Sequence, residues 1–358
     1  MAAGRHRGLI LAMRFKPRLV PLALGLGLAL MAGPGRADTR LLTFQDLAGW
    51  SQDDHLAALQ SFLVTCDLLK GAEWPPICAV AQEAANNPAA AKSFFELFFR
   101  PVMVGTPPAL FTGYFEPELY GSTTRTSRFA WPVYRRPPEL KDGMTWHDRA
   151  TIERGILRGR GLEIAWIDDP VDVFFLQIQG SGRIILPDGS VIRIGYAGRN
   201  GHPYRSLGND LVARGLLRAD QVSAEGIRAF VRRHAEMAAS LLNVNPSYVF
   251  FRRLDELSPQ AGPIGAMGRS ITPMRSVAVD PDFVPLGTPV WLEKTGRNPM
   301  WRLMIAQDTG GAIKGAQRAD IFFGTGAEAG HSAGAVRDGG RMVLLVPIDR
   351  AYAMAEGG

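Results

Sequence analysis

From Ala109 to Pro347 the chain is written as short apolar runs, each cut off by Gly, Pro or an Asp-Gly turn. That punctuation restricts the fold more than any other feature. "ALFTGYFEPEL" (109–119) reads as a strand ending near Pro117. "VDVFFLQIQGSGRIILPDGSVIRIGYAG" (171–198) reads as strands broken at Gly180-Ser181-Gly182 and at the turn Pro187-Asp188-Gly189. "RSVAVD", "PVWLEK", "RLMIAQD", "ADIFFG" and "RMVLLVP" follow between 275 and 347. Many short strands with such turns predict a closed, barrel-like β-domain. One segment breaks the pattern: "SAEGIRAFVRRHAEMAASLL" (223–242) predicts a single long helix, stopped before Asn245-Pro246. Strands occur before and after it, which is the order an insertion inside a β-domain produces.

Upstream the periodicity is helical. Ser51 with Asp54 resembles a capping box ahead of Leu56, Leu59, Phe62 and Leu63. "AAAKSFFELFF" predicts a second short helix after Pro88. Both read as packing helices without chemistry.

The formal charge of +6 points to no nucleic-acid partner. Residues 1–37 hold Arg5, Arg7, Arg14, Lys16, Arg18 and Arg36 and no acid, so the remainder is neutral. This segment reads as a secretory signal. Arg14, Lys16 and Arg18 precede the apolar run "LVPLALGLGLALM", and Gly35 and Ala37 precede a cleavage point at Asp38. The alternative is an uncleaved membrane anchor. No Cys stands at the cleavage point, so the expectation is an exported, soluble protein without a lipid anchor. The two cysteines, Cys66 and Cys78, are then either a disulfide or two buried thiols.

His55, His147, His202, His234 and His331 show no metal-ligand spacing, and there is no CxxC pair. No nucleophile elbow or P-loop occurs, and "GSGRII" lacks the helix a dinucleotide site needs. The expectation is therefore an enzyme without metal or cofactor, working through carboxylates. Asp280 in "VAVDPDF" and Asp308 in "IAQDTGG" stand where a turn acid could also stand. Asp320, opening "ADIFFG", lies against an apolar run that would hold its proton near neutrality, as a general acid needs. The competing reading pairs it with Arg318 or Lys314.

Asp280, Asp308 and Asp320, in "VDPDFVPLGTPVW", "QDTGGAIKG" and "ADIFFGTG", resemble the signature of the three-aspartate (3D) domain. "FTGYFEPEL", "FFLQIQGSGRIILPDG", "GYAGRNGHPYRSLG" and "NPSYVFFR" resemble the membrane-bound lytic murein transglycosylase A (MltA) family. The blocks run in family order from about residue 105 to 345. The resemblance implies a mainly β protein: a double-psi β-barrel, a smaller inserted β-domain and packing helices. It suggests the segments 1–37 (signal), 38–122 (helices and first part of the barrel), 123–249 (insert) and 250–358 (second part of the barrel). It implies a glycan groove between the domains and lytic cleavage of the β-1,4 bond between MurNAc and GlcNAc. Asp320 would act first as acid and then as base, Asp308 as its support through a shared hydrogen bond or charge, and Asp280 as a structural acid or one at the groove floor. Thr112, Tyr114 and Glu116, with Gln177, Gln179 and Ser181, would line the groove from strands whose alternate residues share a face. Partners would be peptidoglycan strands and other cell-wall enzymes, and the location the periplasm of a Gram-negative bacterium, at most peripheral to the outer membrane. Two further readings stay open: a glycan hydrolase with Glu116 or Asp308 activating water, and a non-catalytic wall-binding module.

Overall fold

The computed structural model describes residues 38–356. The signal-like segment lies outside the described residues. Three helices, α1 (His55–Cys66), α2 (Trp74–Glu83) and α3 (Pro88–Phe98), follow a short first strand, β1 (Thr39–Leu41). Asp54 itself caps α1, accepting from the Ala57 N–H, whereas Ser51 sits in the preceding 3₁₀ turn. The expected capping box is therefore a single-residue cap. Cys66 and Cys78 are disulfide-bonded and tie α1 to α2.

The chain then enters the first sheet with β2 (Phe99–Val104) and β3 (Leu110–Glu116) and leaves for a second. The second sheet holds β4 (Glu118–Ser122), β5 (Trp131–Tyr134), β6 (Glu163–Ile167), β7 (Ser181–Ile185), β8 (Val191–Arg199) and β9 (Val249–Arg253). The chain returns to the first sheet as β10 (Ser276–Val279), β11 (Pro289–Lys294), β12 (Met300–Thr309), β13 (Arg318–Thr325), β14 (Arg337–Asp338) and β15 (Gly340–Pro347). The strand order is β1-β2-β15-β11-β12-β10-β13-β3-β14 in the first sheet and β5-β6-β4-β7-β8-β9 in the second. Sequence order and sheet order thus agree with an excursion from one sheet and back. Among the described residues no ladder joins β14 to β1, so the nine-stranded sheet is not closed by hydrogen bonds as the closed barrel would require.

The middle of the first sheet is covered on both faces. Leu303 and Ile305 of β12 pack with Trp291, Phe62 and Phe95 in a core under the helices. Met304 and Ala306 point the other way, into a core with Val277, Ile321 and Leu344. Burial on both faces explains why these strands read as unbroken apolar runs.

Two sequence expectations are corrected. Residues Pro170–Gln179 form a helix, not a strand. The Asp169 side chain caps it on the Val171 N–H, Pro170 opens it, and Gly180 closes it in the left-handed region at φ 78°. The segment is apolar on most sides because it packs on the second sheet, with Val173 and Leu176 in that core, and on a helical layer through Phe174 and Phe175. A short run buried on several sides carries no periodicity. The long helix of 223–242 is also interrupted. It runs over Ala224–Arg233, and the chain resumes in a 3₁₀ turn and a short helix, Ala238–Leu242. His234, at φ −119°, ψ 53°, leaves helical geometry there, and its Nδ1 lies 2.8 Å from the Phe230 carbonyl oxygen. Among the described residues no helix is long and apolar enough to cross a membrane.

Candidate active site

One row across the first sheet assembles the acids. Ala278 of β10 is the register partner of Asp308 on β12 and of Asp320 on β13. Asp320 is in turn opposite Thr112 on β3. In-register neighbours present their side chains to one face. The two acids therefore flank the methyl group of Ala278, with their strands about 10 Å apart.

Regular alternation would not give this. Ile321 and Ala319 face the inner core, so Asp320 faces away from it. Met304 and Ala306 also face that core, so an unbroken β12 would send Asp308 inward. The register shifts here: Val277 pairs with Ala306, and Ala278 with Asp308. Gln307 is the extra residue of a β-bulge, and the bulge turns Asp308 onto the face that carries Asp320. Gln307 is buried, and its amide is fully engaged. Its Nε2 donates to the Ser61 carbonyl at 2.8 Å and to Thr65 Oγ1 at 3.0 Å. Its Oε1 accepts from Ser61 Oγ and Ser276 Oγ. Helix α1 thus holds the bulge from behind. Sequence reasoning missed Gln307; the available signal was a single amide closing the apolar run "LMIA".

Each acid has its own partners. Thr112 Oγ1 donates to Asp320 Oδ1 at 2.5 Å and accepts from Arg318 Nη2 at 2.8 Å. Arg318 thus acts on Asp320 through Thr112 instead of pairing with it directly. Lys314 pairs with Asp280 at 3.0 Å. Asp308 accepts from Tyr114 Oη at 2.9 Å and from the N–H groups of Ala266 at 3.1 Å and Thr309 at 2.9 Å. Among the described residues no hydrogen bond joins the two acids, so the shared bond considered above is absent. Burial pushes the Asp320 carboxyl above its ordinary range, against the Thr112 hydrogen bond and the charge of Arg318. Burial also lifts Asp308, to about 6, with the Asp320 charge adding to the rise and the three hydrogen bonds opposing it. Burial and both carboxylates hold the Tyr114 phenol protonated far above neutrality, so it remains a donor.

Asp280 is 2 % exposed and braces the loop between β12 and β13, accepting from Lys314 Nζ and the Gly315 N–H. These bonds outweigh burial and hold its carboxyl below the usual range. Glu116, expected on the groove, is fully buried and points elsewhere. It binds Arg183 Nε at 2.9 Å and Arg193 Nη2 at 3.1 Å, and accepts from Thr325 Oγ1 at 2.8 Å.

A cleft of about 730 Å³ opens beside Asp308, walled by both sheets. Tyr114, Asp308, Thr309 and the loop at 310–312 form one side; Gln177, Gln179 and Ser181 lie on the other. Asp320 and Thr112 are half-buried two and three strands beyond Asp308, at the cleft's margin and outside its lining. The two glutamines come from the end of a helix, not from alternating strand positions. The Gln177 Oε1 accepts from the buried Arg149 at 2.7 Å, and the Gln179 Oε1 accepts from the Phe115 N–H at 3.1 Å. Tyr196, 50 % exposed, and Tyr204, 36 % exposed, add aromatic rings to the wall.

Asp308 gives a stability test. Its native proton affinity exceeds that of the unfolded chain. The cost of ionising it is thus absent below about pH 4 and complete above about pH 6. Asn in its place keeps the acceptor for Ala266 and Thr309 and never ionises. Asp308→Asn is expected to be more stable than wild type by about 2–3 kcal/mol at pH 8, with the gap closing near pH 4. Denaturant midpoints at the two pH values measure it.

A cleft with one buried carboxyl of raised proton affinity, Asp308, on its wall, a second, Asp320, at its margin and tyrosine rings around it fits a carboxylate-dependent class of protein. The comparisons give the family. The family model described as "MltA specific insert domain" matches residues 110–252, and that of the 3D domain matches 275–346. Membrane-bound lytic murein transglycosylase A of Escherichia coli is 39% identical over 247 residues, or 66% of this chain. The match spans 65% of that relative's length. A crystal structure of membrane-bound lytic murein transglycosylase from Agrobacterium tumefaciens is similar at 33% identity and TM-score 0.78, covering 88% of this chain and 99% of that one. E. coli MltA with bound chitohexaose is similar at 29% identity and TM-score 0.70, covering 87% and 96%. The chain belongs to the MltA family of lytic murein transglycosylases.

Proposed function

We propose that this protein is a peptidoglycan lytic transglycosylase and that Asp320 is its single acid and base. The observation that carries this reading is the row Asp308–Ala278–Asp320–Thr112, which sets a buried carboxyl of raised proton affinity two strands from a second one at the edge of the cleft. Asp320 protonates the glycosidic oxygen between MurNAc and GlcNAc as its bond to C1 breaks. The MurNAc 6-hydroxyl oxygen then bonds to C1, and its proton passes to the Asp320 carboxylate. The nucleophile belongs to the substrate, so one carboxyl performs both transfers. Thr112, backed by Arg318, holds the carboxyl in place. Asp308, oriented by Tyr114, supplies negative charge to the positive character that develops at C1.

The same reading assigns residues 38–122 and 250–358 to one domain, with the first sheet shared between β1–β3 and β10–β15 as support; β4 and most of β9 fall inside those bounds but pair in the second sheet, which moves the edges to about 117 and 254. That domain is a double-psi barrel in this proposal, and 123–249 is its insert. The structure of the E. coli relative with chitohexaose supports a glycan strand as the cleft's occupant. The membrane-bound relatives and the basic, apolar segment before Asp38 support export to the periplasm.

Purified murein incubated with the protein is expected to yield 1,6-anhydro-MurNAc ends, lighter by one water than hydrolysed ends. Mass spectrometry of the released fragments decides it; reducing MurNAc ends would overturn the mechanism.

A further inference from the structure

Among the described residues, two of the four basic side chains on the cleft are neutralised within the protein. Lys314 is bound to Asp280, and Arg149 to Glu153, Gln177 and two carbonyl oxygens. Arg199 and Arg252 differ. Both line the cleft, both are exposed, and among the described residues neither side chain makes a hydrogen bond or ion pair. Among the described residues the sole acid on the lining is Asp308.

Their placement is specific. Arg199 ends β8 opposite Val249, and Arg252 lies on β9 opposite Gly195. Arg199 reaches across the cleft: its Nη1 stands 3.5 Å from where a Cβ on Gly311 would lie. Nothing else approaches that point within 4 Å. Two planar, permanently charged forks therefore face open volume between tyrosine rings on one wall and a Gly-rich loop on the other. Such forks match carboxylates in paired hydrogen bonds.

Resting on the murein reading above, we propose that Arg199 and Arg252 form a carboxylate subsite for the acidic peptide carried on the muramic sugar. Peptide-bearing glycan is then the preferred substrate class. The reach agrees. The three residues from Asp308 to Gly311 span at most about 11 Å. The first free carboxylate of such a peptide stands about two residues out from the sugar, roughly 7 Å of extended chain. A muramic sugar held beside Asp308 and Asp320 puts that carboxylate within range of Arg199.

The test compares kcat/KM on three substrates: murein strands with their peptides, the same strands stripped by an amidase, and strands whose peptide carboxylates have been amidated. Wild type is expected to favour the first by about tenfold, the worth of one charge-assisted hydrogen bond at an open site. The advantage should shrink with salt. It should fall toward one for the amidated strands, and for intact strands in an Arg199→Gln, Arg252→Gln double variant. The amidated arm uses wild type alone, so it stands even if the variant misfolds. A wild-type ratio of one, or a ratio that neither amidation nor the double variant changes, would overturn the subsite. Wild type that cuts none of the strands would instead overturn the murein reading, and the subsite with it.

Discussion

Asp320→Asn is expected to fold, to bind murein glycan, and to cut it about 10²–10⁴-fold more slowly than wild type, the usual worth of a positioned proton transfer. Asn matches Asp in shape, and its Oδ1 can still accept the Thr112 hydroxyl, whose bond to Asp320 is 2.5 Å long. The row Ala278–Asp320–Thr112 lies within paired strands, so the substitution leaves the backbone register alone. What it removes is the proton and the site that takes one back. Both half-steps fail together, and so kcat should fall while KM changes little. The measurement is the rate of anhydro-end formation from murein, alongside a denaturation curve showing the variant folded. Activity within a few-fold of wild type would move the acid to Asp308, the other carboxyl on the row with a raised proton affinity.

The candidacy of these acids was legible in the sequence because each stands where an apolar strand meets Gly or Ala. Their shared face was not. It needs the strand order β12-β10-β13-β3, which joins segments up to 208 residues apart, and it needs the bulge at Gln307. Neither leaves a local periodic signal, because side-chain period 2 says which residues alternate but not which face is the cleft. The strands β10 to β13 and β15 were legible as apolar runs bounded by turns; β14, the dipeptide Arg337–Asp338, was not. The Pro170–Gln179 helix was misread although its cap signals, Asp169, Pro170 and Gly180, were all present. Its apolar residues drew a strand assignment that the caps should have overruled. Tyr196, Arg199 and Arg252 were passed over because in sequence they look like the solvated side of a strand. Only the second sheet's position turns that side toward the cleft.

Glu116 illustrates the opposite error, an acid placed at the groove on strand alternation, and it carries the second large expected effect. Arg183 on β7 and Arg193 on β8 are direct cross-strand partners, an arrangement that repels. The Glu116 carboxylate, fully buried at the end of β3, bridges them, and Thr325 of β13 completes its shell. The two arginines also reach the Ala261 and Ser258 carbonyls in the link back to β10. One carboxylate thus fastens the first sheet to the second. Glu116→Gln keeps the volume but leaves two facing guanidinium groups with little water to screen them. The expected loss is about 3–5 kcal/mol of stability, as for a buried ion network broken on one side, or roughly 10 °C in melting temperature. Adding Arg193→Met to that variant removes one stranded charge and is expected to recover part of the loss, so the two changes together cost less than their sum. A catalytic Glu116 would behave otherwise: Glu116→Gln would melt as wild type does and lose its rate, and Arg193→Met would rescue nothing.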